Sequence, residues 1–186
     1  MADLIYTANV SLDGFIEDDR GSFEFTAPVD DVFAFITGLE RSAGTYLYGR
    51  RMYQTMAVWE TDPGLGAQSE LMADFANMWQ AADKVVYSTT LEAVATAKTR
   101  LERSFDADAI RTMKGSATGH LTVGGANVAR QAFEAGLIDE CRLFICPVIV
   151  CGGKPALPRG MRVDLKLVDE RRFSSGVVYL RYRTTT

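Results

Sequence analysis

His120-Leu121-Thr122-Val123-Gly124-Gly125-Ala126-Asn127-Val128 is the stretch that organises this chain. A short apolar and β-branched run meets two glycines and passes straight into a helical pattern, which predicts a strand, a tight corner and a helix N-terminus. Glycines at such a corner carry no Cβ atoms to hold a ligand off the backbone, and the first amides of the helix face the space left open. Two readings of the corner stand side by side: turn chemistry alone, or a seat for a dinucleotide pyrophosphate. The spaced glycines of the Rossmann fingerprint are absent, so the corner does not decide between them.

Composition narrows the field. The 186 residues suffice for one domain with a sizeable core, so residues 1–186 are read as a single domain. Hydrophobic residues make up 47% and charged residues 24%, as in an ordinary globular protein. A net charge of −4 without a Lys/Arg run argues against nucleic acid as a partner. No apolar stretch approaches the roughly 20 residues of a membrane span. Met1 to Tyr6 lacks a basic leader and enters a strand pattern at once, so the expected location is cytoplasmic. Cys141, Cys146 and Cys151 are spaced by five, which in a strand puts neighbours on opposite faces. With a single histidine in the chain, the cysteines read as buried thiols and no metal is expected.

Taken in order, Leu4 to Val10 reads as a buried first strand and Ser11 to Gly21 as a long irregular loop. Thr26-Ala27-Pro28 predicts a helix start, with Thr26 as cap and Val32, Phe33, Phe35, Ile36 and Leu39 on the apolar side. Thr45 to Tyr48 is a strand ending at Gly49, Arg50 to Met56 a short helix, and Thr61 to Gly66 a loop. A helix through Leu71, Phe75, Met78 and Trp79 leads to the strand Lys84–Tyr87, closed by Ser88-Thr89-Thr90. A short strand near Thr99–Leu101 and a capped helix from Asp106 to Lys114 precede the opening stretch. After it come a helix carrying Val128, Ala132 and Phe133, and a long apolar strand, Cys141 to Val150, interrupted by Pro147. Val163–Phe173 and Val177–Arg183 alternate around Ser174-Ser175-Gly176, a closing antiparallel hairpin. The pattern predicts an α/β fold with a mostly parallel central sheet.

Ligands of such sheets bind at the carboxyl ends of strands, and four suggestive segments fall there. They are the Ser11–Gly21 loop, Tyr48-Gly49-Arg50-Arg51, Tyr87-Ser88-Thr89, and Val123 to Asn127. Two guanidiniums at a helix start suit a phosphomonoester, although a solvated basic pair gives the same sequence. Hydroxyls after a strand suit a ribose, or equally a turn. Each structural reading accounts for one corner, and none accounts for all four lying at strand ends.

Across nearly its whole length the chain resembles the dihydrofolate reductase-like superfamily. Within it, the resemblance is to the reductase domain of bacterial riboflavin biosynthesis (the C-terminal domain of a bifunctional deaminase-reductase) and its stand-alone relatives. The matching pieces are Ser11-Leu12-Asp13-Gly14, Tyr48-Gly49-Arg50, Tyr87-Ser88-Thr89, Gly124-Gly125-Ala126-Asn127, Gly136-Leu137-Ile138-Asp139-Glu140 and Pro147-Val148-Ile149. The resemblance implies a mixed, roughly eight-stranded sheet flanked by helices with NADPH across the strand ends. It implies Gly49, Arg50 and Arg51 at the adenosine 2′-phosphate, Ser88 and Thr89 beside adenine and ribose, and Gly124, Gly125, Ala126, Asn127 and Val128 at the pyrophosphate. Ala8 and Ile16 would touch the nicotinamide, and Asp30, Phe33 and Met56 the substrate. Asp30 is the candidate substrate-orienting acid and Asp13, in the loop, a second candidate catalytic acid. Phe23-Glu24-Phe25 replaces the Trp-containing segment of folate reductases, which argues against folate. No His-x-Glu or Pro-Cys-x-x-Cys is present, so the deaminase half is absent.

The resulting expectation is an NADPH-dependent oxidoreductase that transfers a hydride to a C=N or C=O carbon of a small pterin- or aminopyrimidine-like heterocycle. A catalytically silent NADPH binder and an interaction domain without nucleotide remain the alternatives. Relatives pair, so a homodimer through the Cys141–Val150 strand and the terminal hairpin is expected.

Overall fold

A computed structural model describes residues 1–185, and among these one eight-stranded sheet carries the fold. The strands are β1 (Leu4–Ser11), β3 (Ala43–Gly49), β4 (Asp83–Tyr87), β5 (Thr99–Glu102), β6 (His120–Gly124), β7 (Glu140–Cys146), β9 (Asp164–Arg172) and β10 (Val178–Thr185). Their spatial order is β5-β4-β3-β6-β1-β7-β10-β9. Every pair from β5 across to β7 is parallel, and β10 and β9 add antiparallel strands. The predicted mostly parallel sheet with an antiparallel terminal hairpin is therefore the observed one. Within the Ser11–Gly21 loop a short strand, β2 (Phe15–Glu17), pairs with β8 (Lys154–Pro155).

The helices are α1 (Asp30–Glu40), α2 (Arg50–Met56), the single turns α3 (Val58–Thr61) and α4 (Pro63–Gly66), α5 (Glu70–Ala81), α6 (Ala107–Ser116) and α7 (Ala126–Glu134). Ser69 and Asp106 cap α5 and α6 by accepting main-chain N–H bonds in the first turn. At the end of α7, Gly136 takes φ +63°, so that its N–H reaches the Phe133 carbonyl and that of Leu137 the Ala132 carbonyl. The next residues lock that helix to the sheet: Asp139 accepts from the Leu4 N–H at 2.6 Å and from Lys114 Nζ at 2.5 Å.

Several boundaries differ from the sequence reading. Thr26 does not cap α1; its hydroxyl donates to the Phe23 carbonyl at 2.6 Å within a single 3₁₀ turn, Glu24–Thr26. Pro28 disfavours helical dihedrals in the residue before it, Ala27 is extended, and α1 begins only at Asp30. Thr61–Gly66 is not all loop, because Asp62 Oδ1 accepts from Gly64 N–H and Pro63 suits a first helical turn. β7 stops at Cys146, since Pro147 has no N–H to give to the ladder. Cys141 and Cys146 are buried, in separate core clusters, whereas Cys151 is exposed in the following loop. Every residue of β9 is exposed, in place of the expected alternation, and the strand forms the edge of the sheet.

The core has two sides. Leu4, Tyr6, Leu47, Leu121 and Val123 pack against Val128, Ala129, Ala132 and Phe133 of α7 and Ile110 of α6. On the opposite side, Tyr46, Tyr48 and Val86 meet Tyr53, Phe75 and Trp79 from α2 and α5. Phe144 and Tyr179 meet Val32 of α1 in a cluster of their own. No helix of the described residues is long and apolar enough to cross a membrane.

Candidate active site

The two clusters on the second side of the sheet leave a cavity of about 550 Å³ between α1 and the α2–α5 group. Its walls are apolar: Phe33 and Ile36 from α1, Met52 and Met56 from α2, with Trp59 and Phe75 behind them. The cavity runs along the sheet to the Gly124-Gly125-Ala126 corner, and Ile16, Glu17 and Lys154 from the β2–β8 pair border it. A cavity of this size with few polar groups is the usual form of a small-molecule site.

The corner is built by β6 ending where α7 begins. Gly125 adopts φ +99° and ψ 123°, a backbone that side chains rarely tolerate, and acts as the N-cap of α7. A Cβ on Gly124 would stand 2.9 Å from the Tyr48 ring and 3.0 Å from Met52 Cγ, so that position admits no side chain without displacement. No side chain caps α7, and its first amides remain free donors at the edge of the cavity. This uncapped, glycine-lined terminus fits an anionic pyrophosphate. Asn127 is exposed, while the Val128 side chain is buried against the core, so Val128 offers only its N–H to a ligand.

The neighbouring strand ends converge around β4. Arg50, exposed at the first position of α2, donates from Nη1 to Thr90 Oγ1 at 2.9 Å. Ser88 Oγ accepts from the Thr90 and Leu91 amides at 3.2 and 2.9 Å, shaping the turn in which exposed Thr89 sits. Arg103, which the sequence reading missed, reaches the same turn and donates to the Ser88 and Leu91 carbonyls at 3.1 and 2.6 Å. Arg51 points the other way, pairing with Glu17 at 3.0 Å across the cavity border. Gly49, Arg50, Ser88 and Thr89 thus form an outer corner beyond the cavity, and Ala8, Ile16, Arg51, Gly124, Gly125 and Ala126 border the cavity itself.

The acids separate by environment. Asp30 is exposed on the first turn of α1, between Pro28 and Phe33, which both line the cavity although Asp30 does not. Asp13 lies outside the lining and accepts from the Val150 and Cys151 amides at 3.2 and 2.8 Å. A hydrogen bond from Ser11 first, and then those amides, hold its carboxyl below the ordinary value. Glu17, Glu24 and Glu40 are the carboxyls that line the cavity, and Glu40, the last residue of α1, is the buried one, only 6% exposed. Burial pushes Glu40 above the usual carboxylate range, against smaller opposing effects of Arg142 and of the Thr122, Tyr46 and Thr7 hydroxyls. A periodicity signal for it existed, since Glu40 follows Phe33 by seven and Ile36 by four and so shares their helix face.

A mostly parallel sheet closed by an antiparallel hairpin, with a cleft across the strand ends between two groups of helices, defines a dihydrofolate reductase-like protein. Residues 2–179 match the RibD C-terminal domain family, and the chain belongs to that family. It is 28% identical over 180 residues to the uncharacterized protein YyaP of Bacillus subtilis, covering 96% of this chain and 93% of YyaP. A putative riboflavin biosynthesis protein from Shewanella sp. PV-4 superposes with a TM-score of 0.75 at 19% identity over the full length of both chains. A pyrimidine reductase-like protein from Corynebacterium diphtheriae gives a TM-score of 0.68 at 15% identity, covering 100% of this chain and 92% of that one. The Thermotoga maritima diaminohydroxyphosphoribosylaminopyrimidine deaminase/5-amino-6-(5-phosphoribosylamino)uracil reductase gives 0.66 at 16% identity, over 99% of this chain and 57% of its own.

Proposed function

We propose that the protein is an NADPH-dependent reductase that delivers a hydride to a C=N or C=O carbon of a small heterocycle of the pyrimidine or pterin class. One observation carries the reading: the uncapped α7 terminus and its two glycines open on the same apolar cavity whose outer corner holds Arg50. Membership in the RibD C-terminal domain family, and the pyrimidine reductase-like protein among its structural neighbours, support the reading.

The dinucleotide, when bound, supplies the hydride. The chain does the rest. The free amides at Gly125, Ala126, Asn127 and Val128 hold the pyrophosphate, and Arg50 with the Ser88–Thr90 turn holds the 2′-phosphate. Ala8 and Ile16 border the nicotinamide end, and Phe33 and Met56 close the substrate side and keep water out. Asp30 orients the ring or passes it a proton through water from the rim; Asp13 is the second candidate acid. A homodimer formed over the hairpin, where Leu165, Leu167 and Val168 are exposed on β9, belongs to the same proposal and is checked by sedimentation equilibrium.

Thermal shift and nicotinamide fluorescence with NADPH and NADH test the reading. A true site stabilises the fold by about 2.7 kcal/mol at a hundredfold excess over Kd. Absence of any shift with either nucleotide refutes it. Binding without oxidation across pterins, aminouracils, quinones and diketones selects the silent binder.

A further inference from the structure

One wall of the cavity is aromatic, and along the whole lining carboxyls outnumber cations. Phe33 of α1, Trp59 of α3 and Phe75 of α5 form a single aromatic surface. The Phe33 and Trp59 rings stack with centroids 5.8 Å apart and 20° between their planes, and Phe75 closes on them at 5.2 and 4.7 Å. Phe33 and Trp59 are half-buried and so present ring surface to the cavity, with Ile36, Met52 and Met56 around them, whereas Phe75 is buried. The charged groups of the lining are the carboxyls of Glu17, Glu24 and Glu40 and the cations of Arg51 and Lys154. Both cations adjoin one carboxylate: Arg51 donates to Glu17 Oε1 at 3.0 Å, and Lys154 lies opposite Glu17 in the β2–β8 ladder. Glu24 stands exposed on the 3₁₀ turn and joins none of the ion pairs among the described residues.

An aromatic surface holds flat rings by offset stacking, which needs contact area and no charge. A phosphate ester needs the opposite, cations free to meet its oxygens. In this cavity a dianion would have to take Arg51 from Glu17 and then remain beside that carboxylate, a like-charge contact that costs affinity. We propose that the substrate is an uncharged, unphosphorylated flat ring system stacked on Phe33 and Trp59, and that Glu17 excludes anionic analogues by holding Arg51 and adding its own charge. This rests on the cavity being the substrate site of the proposed reductase. It divides the cleft by charge: the phosphates taken by the α7 corner and Arg50 belong to the cofactor, and the substrate brings none.

The test is calorimetric titration of the full chain with 1-naphthol and with 1-naphthyl phosphate, near neutral pH and without nucleotide. The two probes share one ring system and differ by the phosphate. Wild-type protein is expected to bind 1-naphthol roughly tenfold or more tighter than the ester. Trp59→Ala should weaken 1-naphthol by roughly fivefold, through the loss of stacking. Glu17→Gln, which releases Arg51 and removes a charge, should strengthen the ester by roughly threefold. An ester held at Arg50 or at the α7 corner keeps its affinity in Trp59→Ala, which tells it apart from one bound in the cavity. Thermal melts of both variants report folding, and the wild-type comparison of the two probes needs no variant. Four results overturn the proposal: no binding of 1-naphthol; unchanged 1-naphthol binding in a folded Trp59→Ala protein; an ester bound as tightly as 1-naphthol and weakened with it by Trp59→Ala; or an ester no tighter in Glu17→Gln. NADPH binding is followed separately by fluorescence. Trp59-dependent ring binding without NADPH binding would overturn the reductase reading and leave this assignment standing; NADPH binding without the preference for the neutral ring would do the reverse.

Discussion

Replacing Gly125 by alanine probes the strand-to-helix corner directly. The residue sits at φ +99° and ψ 123°, where an added Cβ meets only ordinary contacts, with Met52 Cβ at 3.5 Å and the Gly49 nitrogen at 3.6 Å. The penalty is therefore conformational rather than steric. Holding a non-glycine residue in such a region costs about 1–3 kcal/mol. The stiffer unfolded chain returns about 0.4–1 kcal/mol, leaving a net loss of roughly 1–2 kcal/mol. For a chain of this size that lowers Tm by about 2–8 °C, measurable by circular dichroism. Relaxation of the strain also turns the first α7 amides, so NADPH affinity should fall by roughly tenfold or more, the worth of one hydrogen bond to a charged group. Gly136→Ala is the control, since Gly136 has φ +63°, open space around it, and a place at the far end of α7. It should lower Tm comparably and leave NADPH binding intact. An unchanged Tm for Gly125→Ala refutes the strain argument, and equal loss of NADPH binding in both variants refutes the phosphate cradle.

Arg50→Ala should weaken NADPH by about 1.5–3 kcal/mol and barely alter NADH. Equal losses in fluorescence titrations would remove Arg50 from the 2′-phosphate. Asp30→Asn should lower turnover of whichever panel compound is reduced while Kd for NADPH holds, and unchanged kcat excludes Asp30 from proton delivery. Asp13→Asn should loosen the 150–151 segment that its carboxylate holds, seen as faster amide exchange at Val150 and Cys151, and unaltered exchange would contradict that role. Glu40 sets a pH signature: its folded carboxyl titrates above its unfolded value, so unfolding releases a proton at pH above about 4.3. Its stabilising effect is thus present in acid and lost as pH rises through the folded pKa. Glu40→Gln should gain stability relative to wild type over that window, and a pH-independent difference between the two proteins contradicts the assignment.

Local chemistry made much of this fold legible. Strand-helix alternation, the Asp106 cap and the Ser174-Ser175-Gly176 hairpin each depend on neighbours within a few residues. The Gly124-Gly125 corner was legible for the same reason, because a strand, a left-handed glycine and a helix start are contiguous. Sequence periodicity did not show that β9 lies bare at the edge, because exposure depends on which elements lie over a strand. Nor did it separate Arg50 from Arg51: adjacent residues on a helix diverge by about a quarter turn, and only packing decides which neighbour each reaches. The acids make the clearest case. Asp30 and Glu40 are ten residues apart on one helix, yet one is exposed at its start and the other buried at its end against three strands. Sequence supplied the carboxyls and their spacing; the fold alone brought Thr7, Tyr46 and Thr122 from three distant segments around one of them, because burial is a property of the assembled sheet and not of the chain.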